Sequence, residues 1–179
     1  MTNAGPPPLP LDADGLLDPA AFDALSAGPS YLVFAQLPDA RLDLPVWQRH
    51  AAQFFAAEVA LTRPKRYGAS PPQTDAAHLV LTPRGGAPIL RSIFLRPRSE
   101  DDLRAAEQAE GGGGLALVAK RCPMVVLVHA DGGTDAPDAG SLHVAALLAS
   151  VLLGPLMPPD RKSILGPKSA RQELEKRGP

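Results

Sequence analysis

Cysteine is nearly absent: Cys122 stands alone in 179 residues. That excludes an internal disulfide and any zinc site built on several thiolates, and it fits a reducing compartment. Aromatic residues are also scarce, at 4%, so core volume must come from Leu, Val, Ala and a few Phe. A stacking platform for single-stranded nucleic acid would lack rings. Neither charge sign dominates: the formal net charge is −1, which leaves no global field to gather a polyanion or an anionic membrane. The N-terminal "MTNAGPPPLPLDADG" has neither the basic n-region nor the continuous apolar h-region of a secretory signal, so a cytoplasmic location is expected. The greasiest uncharged run, Leu142 to Met157, is 16 residues long and is interrupted by Pro155. As a helix it would span about 24 Å, short of the roughly 30 Å hydrocarbon core, so no membrane span is expected.

What is present has the balance of a globular chain, with 45% hydrophobic and 21% charged residues, at a length that suits one domain. The bias toward Ala, Pro, Gly and Arg points to a GC-rich, bacterial genome. Charge is unevenly spread. Through Leu44, six aspartates face Arg41 alone, whereas from Arg161 onward six cations face Glu173 and Glu175. An acidic head and a basic tail can pair within a chain or between copies.

Residues 1–17 are proline-rich and expected to be flexible. Asp18 as N-cap, Pro19 at the first helical position and Gly28 at the stop predict a short helix. "SYLVFAQL" from Ser30 reads as a strand. Val46, His50, Phe54, Ala57 and Leu61 recur at helical spacing, predicting one helix from Pro45 to about Arg63. "AHLVLT" and "PILRSIFLR" around "PRGGAP" predict a hairpin. Ser99, followed by Glu100, Asp101 and Asp102, opens a helix that Gly111–Gly114 should end. "LALVA" (115–119) and "MVVLVHA" (124–130) read as a second hairpin with both faces covered. Ser141 to Leu153 is a helix apolar all round, which must be buried on more than one side. The order predicts an α+β fold: a mainly antiparallel sheet of about five strands, two hairpins plus the N-terminal strand, with three principal helices packed on it. The domain is expected to span 18–157, and 158–179 to be a basic tail, flexible or docking on a partner.

Three groups of residues are candidates for function. Loop 129–143 gathers His129, Asp131, Asp135 and His143 just beyond a buried strand, types that suit a divalent metal or acid–base hydrolysis, although the spacing fits no metal-ligand pattern. The same Asp, Gly and Pro residues are what a strand-to-helix turn needs anyway. The loop holding Arg63, Lys65, Arg66 and Tyr67 offers cations and one ring to nucleic acid. The tail carries Ile164, Leu165 and Leu174 among Lys168 and Arg171, a pattern suited to docking on a protein. Cys122 lies beside Lys120 and Arg121, which would favour thiolate, but no base is placed for it. The glycine run lacks the lysine and hydroxyl residue of a phosphate loop, and no cofactor is expected.

The leading functional reading is a non-catalytic protein-interaction module: an adaptor, a chaperone-like protein or a small subunit of a larger bacterial assembly, with another protein or itself as partner. The alternatives are a small metal-assisted or acid–base hydrolase using the His129–His143 loop and, more weakly, nucleic-acid binding through 63–67. The order of elements is similar to that of small bacterial secretion chaperones, which pair a curved antiparallel sheet with helices and bind extended segments of other proteins. The early strand at Ser30 departs from that order.

Overall fold

The computed structural model describes residues 29–36, 44–62, 75–129 and 139–177. The helix expected at 18–28 and segment 1–17 lie outside them. The fold is α+β; the described residues form one antiparallel sheet of six strands and five helices. The strands are β1 (Ser30–Ala35), β2 (Ala57–Thr62), β3 (Asp75–Pro83), β4 (Ile89–Pro97), β5 (Met124–His129) and β6 (Leu156–Met157), and they lie in the order β2-β3-β4-β5-β1-β6. The helices are α1 (Leu44–His50), α2 (Glu100–Gln108), α3 (Gly112–Arg121), α4 (Ala139–Leu152) and α5 (Pro167–Arg177).

The β3–β4 hairpin forms as its sequence predicts, with Val80 opposite Leu90. β5 takes the centre of the sheet between β4 and β1. That position hides the aggregation-prone "MVVLV" run, because both of its edges are hydrogen-bonded and Val125 to Val128 are buried.

Three expectations are corrected. Residues 115–119 are not a strand but the middle of α3. Their Ala and Leu are strong helix formers, and Ala116 and Ala119 turn inward while Leu117 faces solvent. The glycine run is a corner between two helices rather than a stop. Gly111 adopts φ +82° and an added Cβ there would sit 3.1 Å from the Ile164 carbonyl oxygen, so it turns α2 into α3 against that neighbour.

The long helix expected from Pro45 to Arg63 ends at His50. It passes through a π turn over Ala51–Phe55, and Ala56 takes a left-handed conformation, φ 47° and ψ 45°. From Ala57 the chain is β2, with Ala57 and Val59 buried and Glu58 and Ala60 exposed. That alternation, together with pairing to β3, overrides the helical spacing.

The third correction concerns the tail. Residues 158–177 fold back on their own chain: Leu165 pairs with Leu156, Ser163 bridges Glu110, Ile164 is buried, and α5 packs along α4. Leu165 and Leu174 pack against the main core.

The two sheet faces carry separate cores. The first, under α1, α4 and α5, contains Tyr31, Val33, Trp47, Ile93, Val126 and the whole waist of α4. Helix α4 is buried from Ser141 to Leu152 apart from His143 and Ser150, because the sheet covers one side and α5 and α1 cover the others. The second core, under α2 and α3, contains Leu32, Phe34, Phe94, Leu127 and Met157. Helix α2 begins in a reciprocal capping box between Ser99 and Asp102.

Candidate functional site

The π turn places two consecutive phenylalanines differently. Phe55 is half-buried against the main core, 6.0 Å from the His143 ring, whereas Phe54 is 42% exposed. Holding Ala56 left-handed costs about 1–3 kcal/mol, and the Arg84 N–H donating to the Ala56 carbonyl at 2.8 Å helps hold it. π turns and strained residues of this kind cluster at functional sites.

Between the π turn, the β3–β4 turn and α5 lies an open groove of about 460 Å³. Phe54, Phe55 and Leu174 supply its apolar wall, and Arg84, His143, Arg171 and Glu175 its polar one. A second hollow of about 350 Å³ adjoins it, sharing Ala52, Ala56, Pro83 and Arg84 and adding Glu58. Arg171, half-buried, and Glu175, exposed, are 4.0 Å apart on α5, a solvent-accessible pair worth little to stability and free to re-pair. Burial lowers the pKa of His143, so its ring is neutral around neutral pH. His50 beneath Phe54 is also lowered by burial; it hydrogen-bonds the Ser150 hydroxyl at 2.8 Å and lies 4.7 Å from the Phe54 ring.

The second face of the sheet carries a polar row. In register across three strands stand Ser30, His129 and Ser92. His129 and Ser92 are buried, and among the described residues the His129 Nε2 and Ser92 Oγ have no hydrogen-bond partner. His129 meets Phe94 edge-on at 5.0 Å. Burial, reinforced by the Arg161 charge, pushes its pKa down to about 4.

Arg161 is itself a clamp. One guanidinium nitrogen donates to the carbonyls of Ser30 at 2.8 Å, Met157 at 3.2 Å and Pro158 at 3.0 Å, tying the C-terminal segment to the start of β1. Nearby, Arg96 grips Asp102 with two bonds of 2.6 and 2.9 Å. Burial alone would raise the Asp102 carboxyl, but Arg96 and Ser99 outweigh it and hold the pKa below the usual range. These contacts join parts of the fold to one another.

The structure does not bring the two histidines of the predicted loop together. His129 shares the second face with its register partners, whereas His143 belongs to α4 over the first face, against Phe55. The sheet separates them, and Asp131 and Asp135 lie outside the described residues. So do Arg63, Lys65, Arg66 and Tyr67. Among the described residues no group of three or more His, Cys, Asp or Glu side chains is placed to hold a metal ion. None of the described helices is long and apolar enough to cross a membrane.

Of the tail residues, Arg171 and Leu174 line the groove, Lys168 is exposed and Leu165 half-buried, and Ile164 is spent on the chain's own core. Cys122 is buried, its thiol donates to the Val118 carbonyl at 3.3 Å, and burial pushes its pKa up to about 11. The expected help from Lys120 and Arg121 fails because both point to solvent. Sequence reasoning missed Phe54 and Phe55 as site residues. The available signal was the "FF" pair widening an already full apolar stripe. No protein-family model, curated protein or solved structure matches this chain.

Proposed function

We propose that the chain is a non-catalytic protein-interaction module, an adaptor or small subunit that meets another protein surface through the Phe54 groove. The observation that carries this reading is the ring of Phe54, 42% exposed on a strained π turn beside an apolar wall rimmed by both charge signs. An aromatic anchor with a polar rim is the usual make-up of a protein-binding hot spot. The GC-rich composition and the single buried thiol support placing the protein in the reducing cytoplasm of a bacterium.

The test is tagged purification from the protein's own cells, comparing the natural chain with Phe54→Asp and with Leu117→Asp. Leu117 is the control because it is a large exposed apolar residue on α3, away from the groove. The reading expects a stoichiometric partner, a second untagged copy included, that survives Leu117→Asp and is lost with Phe54→Asp. No partner, or one indifferent to position 54, overturns it.

A further inference from the structure

We propose that the occupant of the Phe54 groove is a second copy of this chain, related to the first by a twofold axis. This rests on the interaction reading above and goes further by naming the partner. A twofold interface is isologous, so one patch must present both a projection and the recess that receives it, and charges of both signs in balance. The groove meets each condition. Phe54 is the projection, the hollow walled by Phe55 and Leu174 is the recess, and they are neighbours on one surface. Arg84 and Arg171 are matched by Glu175 and, in the adjoining hollow, Glu58. A strongly basic or acidic partner would call for a patch of one sign; among the described residues this patch balances both signs, which suits pairing with itself. Arg171 and Glu175 hold each other loosely at 4.0 Å, so either can turn to the opposite charge on the other copy.

The experiment is sedimentation velocity with light scattering on the full purified chain, from dilute to concentrated solution. The expected species is a dimer of the 18.7 kDa chain. Phe54→Asp should raise its dissociation constant by about thirtyfold or more, the size of a central hot spot, while Leu117→Asp leaves it unchanged. Arg84→Glu, at an exposed turn position, makes the patch net negative and should weaken the dimer about tenfold at low salt and much less at high salt. The emission of Trp47 reports that each variant is folded.

A benzoylphenylalanine photocrosslinker at position 54 should join the residue to the groove of the other copy. A folded natural chain that stays monomeric at every concentration overturns the proposal, and so does a dimer indifferent to both groove variants. If the chain is monomeric yet captures a different protein in a Phe54-dependent way, the homodimer falls and the interaction reading stands. If it captures nothing, both fall.

Discussion

Acid should loosen this fold through one histidine. His129 is 2% exposed, and its pKa falls from 6.5 to about 4 because burial and the neighbouring Arg161 charge oppose protonation. In the unfolded chain the ring recovers its ordinary value. Between pH 6.5 and 4 the unfolded state therefore binds the proton that the folded state refuses, and stability rises with pH across that window. The contribution is fully present above pH 6.5, is lost progressively on acidification, and levels off near pH 4 once the folded protein also takes the proton. A shift of this size corresponds to about 3 kcal/mol at 1.36 kcal/mol per pKa unit, a large share of a net stability of about 5–15 kcal/mol.

His50 and His143 are also lowered and will add to the slope, so the informative quantity is a difference. The substitution His129→Gln keeps a polar, always neutral side chain opposite Ser92. Urea unfolding, followed by the emission of the only tryptophan, buried Trp47, gives the stability of both proteins at neutral pH and at pH 4. The natural protein should lose about 3 kcal/mol more than the variant. Parallel losses would refute the reasoning, as would a His129 ring proton titrating by NMR near 6.5 in the folded state.

Further predictions follow from the close contacts. An added Cβ at Gly154 would lie 1.7 Å from the Phe34 carbonyl oxygen, so Gly154→Ala must push the chain after α4 away from β1 and should cost more than about 4 kcal/mol, read as a large fall in the urea midpoint. Ending the chain at Pro159 removes Arg161, Ile164 and Ala170, and with them the cover of α4. Since burying one Ile-sized side chain is worth about 1.5–3 kcal/mol, the shortened protein should be close to unfolded or bind a hydrophobic dye, where an intact far- and near-UV spectrum would contradict the packing seen here. Cys122, buried with its pKa raised to about 11, should react with a thiol reagent only in denaturant; quick labelling of the native protein at neutral pH would show that the α3 corner opens.

Much of this fold was legible because the relevant signals are local. The Ser99 cap, the "PRGGAP" turn and the uninterrupted "MVVLV" run each require one kind of structure in almost any setting. Where the reading failed, distant residues decided. "AEVALT" holds both a helical and a strand spacing, and its pairing with β3 selects the strand. "LALVA" satisfies a buried strand and a buried helix equally, and the Gly111 corner beneath Ile164 selects the helix. The tail looked like a docking peptide because its few apolar residues stand among charges, yet those residues fit the rim of α4 and the α2–α3 corner in the same chain.

The sites were less legible for a related reason. Sequence reasoning looks for chemistry in clusters along the chain, and the His129 to His143 segment is such a cluster. A sheet, however, sends side chains to two faces, and a strand followed by a helix placed these histidines on opposite ones. The polar row Ser30, His129 and Ser92 draws one residue from each of three strands, so nothing in the linear order betrays it. The groove likewise joins residues near 54, 84, 143 and 174. Its chief residue, Phe54, lies on an apolar stripe that an unbroken helix would bury. It faces outward because the helix widens into a π turn and ends at left-handed Ala56, a departure from local preference that the Arg84 N–H supports from another part of the chain. The position where local rules fail is also the one that exposes an aromatic ring, and that coincidence makes the groove, rather than the histidine loop, the place to look for function.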